Sequence, residues 1–246
     1  MKHKNIFIEQ WIKNVIEIIT FPNEQGGSHD KRQNEKNMLR LKEALLTITE
    51  VEIGKTLLEL IRVNVLRRGK LKLVTYPSKN MSTRIDNGCN HANLSNGVGI
   101  SPILFCDFSF LDTLKPHTTP FNPLNRFLDR NKPQTTFFNQ LNQKQSDACS
   151  IFHELVHVYH ALIGEHTTVQ FPPNNPLQTS NLYEEARTVG LGSFKNEPIS
   201  ENKYREEAHL PRRAMYETPN GYILDNDTFS LKYGKWKGSS IIPFPH

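Results

Sequence analysis

The chain has 246 residues, of which 37% are hydrophobic and 22% are charged, and its formal net charge is +5. This composition excludes a wholly disordered chain and a fibrous repeat, and no apolar run is long enough for a membrane-spanning helix. The basic surplus is small and spread along the sequence, so nucleic acid is not an expected partner.

The N-terminal part of the sequence is dominated by helical patterns. Apolar residues at helical spacing predict an amphipathic helix from about residue 6 that ends before Pro22. The polar stretch 23–37 predicts a loop or a mobile arm. Helical spacing returns at 38–46 and again at about 50–66, which predicts two further helices.

Strand patterns follow these helices. Alternating polar and apolar residues predict a half-buried strand at 70–76. A second strand is predicted at 98–106, where Pro102 favours an edge or bulged strand. The intervening Asn- and Ser-rich residues 78–96, and the Pro-rich residues 112–145, are predicted to be loops.

The second half of the chain predicts three helices, at 146–163, from about 182 to 190, and at 201–208. Ser146 or Asp147 is placed to cap the first of them and Gly164 to end it. A Pro- and Asn-rich loop at 171–180 separates the first two helices, and a Gly- and aromatic-rich tail begins at Pro219. Without an internal repeat or a linker, the sequence favours a single mixed α+β domain over residues 1–246.

The strongest motif is His153-Glu154-Leu155-Val156-His157. Two histidines four residues apart on a helix lie one turn apart on the same face, so they can share one zinc ion. Glu154 is then placed beside the open coordination position, where a carboxylate can accept a proton from water. The alternative is a buried polar network without metal, which would need every one of these groups to be hydrogen-bonded.

A catalytic zinc ion needs a third protein ligand. His160 lies on the same helical face, but its displacement along the axis makes it a poor candidate. Glu185 is favoured because it lies on the next predicted helix, and Glu184 is the alternative, with the other of the two as an outer partner. An isolated Glu-Glu pair at a helix start otherwise only complements the helix dipole.

Blocks at 183–191, 201–207 and 210–216 follow the motif in order. Together with it, over about residues 147–216, they resemble the M91 zinc metallopeptidases, in particular the NleD-like type III secretion effectors. The resemblance implies a zincin-like fold: a small mixed sheet, an active-site helix carrying HExxH, and a second helix carrying a Glu ligand. Over residues 45–110 the resemblance is fainter. Residues 1–40 and 217–246 lie outside it, and 1–40 are interpreted as an N-terminal arm or helix that can act as a secretion signal.

Tyr216 closes the last of these blocks and is a candidate catalytic residue. A zincin needs a donor for the oxyanion, and a tyrosine can supply it, as Arg213 could. The alternative is that Tyr216 only packs within the C-terminal part of the chain. Arg205 and Glu201 are interpreted as an ordinary helix pair outside the site.

The resemblance implies a zinc endopeptidase of the gluzincin-like HExxH type, a virulence effector that a type III system delivers into the host cell cytoplasm without a cleavable signal peptide. The implied substrates are host signalling proteins, foremost MAP kinases of the JNK and p38 type, cut in the activation loop. A monomer with neither a nucleic-acid nor a membrane partner is expected. The alternative is a catalytically inactive zinc-fold effector that binds and sequesters a host signalling protein.

A basic segment from Arg62 to Lys72 contains no acidic residue. Its part Arg67–Leu73 resembles the basic peptides with a Leu-x-Leu pair that MAP kinases bind in an acidic groove. We therefore consider the hypothesis that this segment docks the kinase. Leu71 and Leu73 also fit core positions of the predicted strand, and a strand paired in the core cannot present both leucines to a partner.

Overall fold

Helices and two separate four-stranded sheets make up the described part of this computed structural model. The structure describes residues 2–19, 28–75, 81–84, 91–108, 141–166, 182–213, 215–217, 222–225, 231–237 and 240–243. Six α-helices lie in these ranges: α1 (Lys2–Val15), α2 (Ser28–Ile48), α3 (Glu52–Arg68), α4 (Gln143–Ile163), α5 (Leu182–Val189) and α6 (Glu201–Glu207). The chain is therefore of mixed α+β class, as predicted.

The first sheet is mixed and is formed by β1 (Ile16–Ile18), β2 (Leu71–Val74), β3 (Met81–Arg84) and β4 (Ile103–Cys106). The strand order is β1-β2-β4-β3. β2 pairs in parallel with both β1 and β4, whereas β3 pairs antiparallel with β4, with Thr83 opposite Leu104. β3 is thus an edge strand, and it is the strand that makes the main contact with α4.

The second sheet is an antiparallel meander close to the C-terminus. Its strands are β5 (Met215–Glu217), β6 (Tyr222–Asp225), β7 (Leu231–Lys237) and β8 (Ser240–Pro243), in chain order across the sheet. The sequence predicted only a Gly- and aromatic-rich tail here, so these strands were missed. β5 contacts α5.

Helix α4 is the centre of the core and packs against α2, α3 and α6. Its buried residues run along the whole helix, and on its α6 side the ring of Phe152 stacks on that of Tyr204 with centroids 4.4 Å apart. Near its start, Arg40 of α2 forms a two-pronged ion pair with Asp147, at 2.6 and 2.8 Å. These contacts hold the helix that carries the HExxH motif on several sides.

Both ends of α4 are fixed by local interactions. Asn142 caps the helix and forms a capping box with Gln145, so the prediction of Ser146 or Asp147 as the cap was wrong. The helix begins at Gln143 with a polar first turn. The apolar pattern starts later in the sequence, so it placed the cap four residues too far downstream. Gly164 ends the helix in a left-handed conformation, as predicted.

Several predictions for the N-terminal part were wrong. The first helix ends at Val15, and residues 16–18 form β1 instead of continuing to Pro22. Residues 28–37, predicted to be a loop or arm, form the first half of α2. Among the described side chains of this stretch, those at 31, 32, 35 and 36 are exposed, as expected for the solvent face of a helix, and Asn37 is fully buried.

The N-terminal helix itself belongs to the main core. Ile8, Trp11 and Val15 are buried there, and the indole Nε1 of Trp11 donates a hydrogen bond to the carbonyl oxygen of Leu58 at 2.8 Å. α1 is consequently a packed helix and not a free arm.

The strand predictions were partly correct. β2 and β4 lie within the predicted ranges, but β4 begins after Pro102 and is an interior strand, so the proline marks its start and not an edge. β3 lies inside the predicted loop 78–96. The predicted loops 112–145 and 171–180 fall largely or wholly outside the described residues.

The docking hypothesis for the basic segment is wrong in the form that uses its leucines. Leu71 and Leu73 are both fully buried, and β2 is paired on both sides. Neither leucine is available to a kinase groove.

Among the described helices, none combines the length and apolar character that a membrane crossing requires.

A close backbone contact fixes the C-terminal end of α4 against the segment before β4. A Cβ atom on Gly99 would clash with the carbonyl oxygen of Leu162. The Ile100 amide donates to the carbonyl of Ala161, and the Gly97 amide donates to that of Gly164. Glycine at position 99 is therefore required both for this approach and for its φ of +79°.

We predict that Gly99→Ala destabilises the protein more than Gly97→Ala does. Both glycines have a positive φ, +79° and +77°, which costs a non-glycine residue about 1–2 kcal/mol. Only Gly99 adds a steric clash, worth roughly 1–3 kcal/mol more, since a Cβ on Gly97 meets nothing within 4 Å. Urea unfolding of the two variants measures the difference, and equal losses would contradict the close contact.

Candidate metal centre and its carboxylate partners

Helix α4 presents the HExxH motif inside the core. The rings of His153 and His157 lie one turn apart with their Nε2 atoms separated by 3.2 Å. Both residues, and Glu154 between them, are at most 9% exposed. The predicted juxtaposition of the two imidazoles is therefore present in the structure.

Helix α5 brings Glu185 to the same point. Its Oε2 atom lies 3.0 Å from Nε2 of His153 and 3.4 Å from Nε2 of His157. The short helix is oriented by Arg187, which bonds to both the backbone and the carboxylate of Glu165, just beyond the end of α4. The next residue, Ala186, is fully buried, and its small side chain takes up little space between α5 and the neighbouring elements.

These three atoms fit a tetrahedral metal. Ligand atoms about 2.05 Å from one zinc ion lie roughly 3.3 Å apart at tetrahedral angles. The observed separations of 3.0, 3.2 and 3.4 Å bracket this value. Two imidazole nitrogens and one carboxylate oxygen are also a donor set that zinc accepts, and they leave the fourth position open.

The other nitrogen of each ring is held by a further carboxylate. Nδ1 of His153 lies 2.9 Å from Oε2 of Glu201, and Nδ1 of His157 lies 3.2 Å from Oε1 of Glu184. An ionised carboxylate can only accept, so each Nδ1 carries the proton. In the neutral rings both Nε2 atoms therefore have their lone pairs directed toward the common point.

Glu201 is itself held by two arginines. Arg205 donates to its Oε1 at 2.7 Å, and Arg213 donates to its Oε2 at 2.9 Å. The side chain of Asn202 bonds to both backbone polar groups of Arg213, which fixes the segment after α6. The Arg205–Glu201 pair was interpreted as an ordinary helix pair, but it is buried and connects directly to His153.

Glu184 has more than one partner as well. Its Oε1 lies 2.5 Å from Nδ1 of His160 and accepts from the Thr188 hydroxyl at 3.3 Å. His160 thus faces Glu184 and is separate from the point shared by the other two histidines. Of the adjacent glutamates, Glu185 faces both Nε2 atoms, whereas Glu184 lies on the Nδ1 side of His157.

Charge in the site follows from these contacts. Burial raises the pKa of a carboxyl group, but the neighbouring histidines hold the pKa values of Glu184 and Glu185 well below their usual range. Burial lowers the pKa of His153, but hydrogen bonds to Glu185 and Glu201 raise it to about 9. The carboxylates therefore stay ionised at neutral pH, and the site favours a cation, either protons on the rings or a metal.

Glu154 differs from the other acids. Burial is the main cause that raises its pKa, although His153 and His157 act in the opposite direction. Its backbone carbonyl accepts a hydrogen bond from the Thr83 hydroxyl of β3 at 3.0 Å. A carboxyl group with a raised pKa beside a metal centre is suited to exchange protons.

A second group of possible ligands consists of His157, His166 and Glu184. It shares His157 with the first group, and Nδ1 of that ring lies 3.2 Å from Oε1 of Glu184. Both groups could be filled at once only if that ring bridged two metals. The first group, which contains both histidines of the motif, is the better candidate for a metal centre.

Tyr216, the predicted oxyanion donor, lies on β5 opposite Leu224 of β6. Its side chain lies outside the described residues, so its proposed role remains a prediction. Arg213, considered for the same task, bonds to Glu201 through Nη1.

Comparison with known protein families bears on this centre. The sequence matches the family Peptidase_M91, described as an effector protein, over residues 27–216, more than three quarters of the chain. The protein belongs to the M91 peptidase family. The resemblance found in the sequence is confirmed, and it extends over α3 and the first sheet from β2 onward. The match begins at residue 27 and includes α2, so the expectation that all of residues 1–40 lie outside the family was wrong. A comparison with curated proteins gives no match.

Sequence reasoning missed the outer residues of this M91 centre. Thr188, Glu201 and Arg205 contact the histidines or their partners, but none has a distinctive spacing relative to HExxH. The one available signal was that Glu201 and Arg205 lie in a family-like block. A pair that is one helical turn apart is common on surfaces, and burial could not be read from the pattern.

We predict that Glu201→Gln destabilises the metal-free protein at pH 7 by about 3 kcal/mol, because it leaves Arg205 and Arg213 without a buried counter-charge. Arg213 and Arg205 outweigh the opposing effect of burial and hold the pKa of Glu201 well below its usual range. Its contribution to stability is therefore complete above the unfolded-state pKa of about 4.3 and is lost as pH falls further.

Urea unfolding in the presence of a chelator from pH 7 to pH 3 tests this prediction. The difference in the free energy of unfolding between the wild type and Glu201→Gln should become smaller below about pH 4. Glu59→Gln is the matched control, because Glu59 also pairs with an arginine, Arg62, but on the exposed surface of α3. A gap that does not change with pH, or an equal loss in Glu59→Gln, would contradict the assigned role.

Proposed function

We propose that this M91 protein is a zinc-dependent endopeptidase of the gluzincin-like type, in which His153, His157 and Glu185 bind the metal. The observation that carries the proposal is the convergence of two imidazole Nε2 atoms and one carboxylate oxygen within 3.0–3.4 Å. A bound zinc ion would act as a Lewis acid that lowers the pKa of water to about 7 and polarises a peptide carbonyl.

Glu154 is the proposed general base. Its burial and raised pKa favour a carboxylate that accepts a proton from the attacking water and returns it to the leaving amine. Tyr216 is proposed as the donor to the oxyanion, because the segment that carries it follows directly on Arg213, which contacts Glu201. Glu201 and Glu184 keep the two rings in the tautomer that zinc requires.

The edge strand β3 offers a place for an extended substrate. It is antiparallel to β4, its other side is not paired with any described strand, and it is bonded to the backbone of Glu154 through Thr83. A peptide that pairs with this edge would lie next to the catalytic carboxylate. We therefore propose β3 as the strand along which the substrate binds.

The proposed biological setting follows from the family. M91 proteins are peptidase effectors. We propose delivery by a type III system into the host cytoplasm and a host signalling protein as substrate, with MAP kinases of the JNK and p38 type as the first candidates, because the sequence resembles NleD-like effectors. The activation loop is the proposed site of cleavage.

We predict that the purified protein contains one zinc ion per chain and that His157→Ala loses it. Removing one of three protein ligands leaves too few donors for tight binding. Metal content is measured by mass spectrometry, with His209→Ala as the control, since His209 lies on the surface beyond α6. If the folded wild type cannot be loaded with zinc, the site is a polar network without metal, and the peptidase proposal is wrong.

We predict that Glu154→Gln retains zinc but lowers cleavage of JNK or p38 by about 10²–10⁴-fold, the usual contribution of a general base. Glu206→Gln, on the exposed side of α6, serves as the control and should cleave normally. If JNK and p38 stay uncleaved when they are incubated with the zinc-loaded wild type, the substrate assignment is wrong.

The same variant separates the two functional alternatives. A catalytically silent effector that sequesters its target needs neither Glu154 nor an open metal position. Under that alternative, Glu154→Gln should bind the kinase and suppress its signalling as well as the wild type does. N-terminal sequencing of the kinase fragments locates the cleaved bond if the peptidase proposal holds.

A further inference from the structure

His160 is a third histidine on the metal-binding face of α4, one turn beyond His157. It is only 2% exposed, and its Nδ1 atom lies 2.5 Å from Oε1 of Glu184. It is not one of the three residues whose ligand atoms converge. A buried imidazole that stays next to a metal centre without binding the metal needs another explanation.

The contacts of Glu184 supply that explanation. Its Oε1 atom is the common acceptor for His157 at 3.2 Å, His160 at 2.5 Å and the hydroxyl of Thr188 at 3.3 Å. The shortest of the three contacts is the one to His160. Thr188 lies one turn from Glu184 on α5 and moves with it, whereas His160 belongs to α4 and fixes Glu184 relative to the metal-binding helix.

This arrangement places His160 and His157 on the same carboxylate oxygen. If His160 did not donate to it, the side chain of Glu184 could rotate about its own torsions and withdraw from His157. The Nδ1 proton of His157 would then lose its partner, and its ring would be free to turn or to change tautomer.

We propose that His160 is a positioning residue: through Glu184 it fixes the orientation and tautomer of His157 and so increases the affinity of the centre for zinc. The inference rests on the proposed function, because it assumes that His157 binds the metal. It assigns a role to the third histidine of His153-x-x-x-His157-x-x-His160 that requires no contact with metal or substrate.

The test compares three variants with the wild type. His160→Leu removes the donor but fills much of the space. His160→Asn keeps an N–H donor close to the position of Nδ1 and should restore zinc binding. Val158→Ala is the control for general destabilisation, because Val158 is fully buried on the same helix and has no polar contact with Glu184.

Zinc affinity is measured by competition with a chromophoric chelator, and the geometry of the centre is followed in the visible spectrum of the Co²⁺-substituted proteins. Thermal unfolding of the metal-free variants gives their stability. We expect His160→Leu to lose about tenfold or more in zinc affinity, as is usual for outer partners of metal ligands, and to alter the cobalt spectrum. His160→Asn should restore most of both, and Val158→Ala should bind zinc as the wild type does although it is less stable.

The outcomes separate this inference from the proposed function. Wild-type affinity and an unchanged cobalt spectrum in His160→Leu would overturn the role of His160 while leaving the zinc site intact. An equal loss of zinc affinity in Val158→Ala, or the absence of rescue by His160→Asn, would reduce His160 to a packing residue. A wild type that binds neither Zn²⁺ nor Co²⁺ would overturn the proposed function and this inference together.

Discussion

Ionisable groups that leave water must find partners inside the protein, and α4 carries several of them into an apolar core. Each imidazole of the HExxH motif has two nitrogens to satisfy. For His153 and His157, one nitrogen of each is bonded to a carboxylate of another helix, and the second nitrogens face a common carboxylate oxygen. The positions of α5 and α6 are therefore constrained by the hydrogen-bonding needs of a single helix.

The rest of the fold keeps that helix in place. Apolar contacts with α2, α3 and α6 bury it, and a capping box and a glycine contact fix its two ends. β3 lies along it and bonds to the backbone at Glu154. Metal ligands on a packed helix keep their geometry better than ligands on loops, because the backbone has fewer alternative conformations. Three of the four carboxylates in the centre come from the short helices α5 and α6. The partly buried Arg187–Glu197 pair ties α5 to the segment after it, and α6 is held by the Ser200 cap and by Arg213, which donates to Glu201.

The parts of this architecture that could be predicted from the sequence are those with local signals. The spacing of His153 and His157, the glycine after Ile163, and the Glu-rich start of α5 all specify geometry within one or two turns. Elements that depend on distant contacts were missed. β3 has only four residues and exists because β4 offers it an edge, and the polar start of α2 is helical because its second half packs against α4. Burial of Arg205 likewise arises from the tertiary structure, so a pattern typical of a surface pair gave the wrong interpretation.

The adjacent pair Glu184-Glu185 shows why sequence alone left the choice between the two residues open and how the helix orients each carboxylate. Consecutive residues on an α-helix point about 100° apart, so two neighbouring carboxylates cannot approach the same point from one side. They can, however, reach opposite sides of one imidazole, whose two nitrogens point away from each other. In α5, Glu185 faces Nε2 of His157 and Glu184 faces its Nδ1. The ring is thereby held between two successive residues of one short helix, with the outer carboxylate fixed in turn by His160. The rotational phase of α5 thus determines which of the two faces the point shared by the Nε2 atoms of His153 and His157.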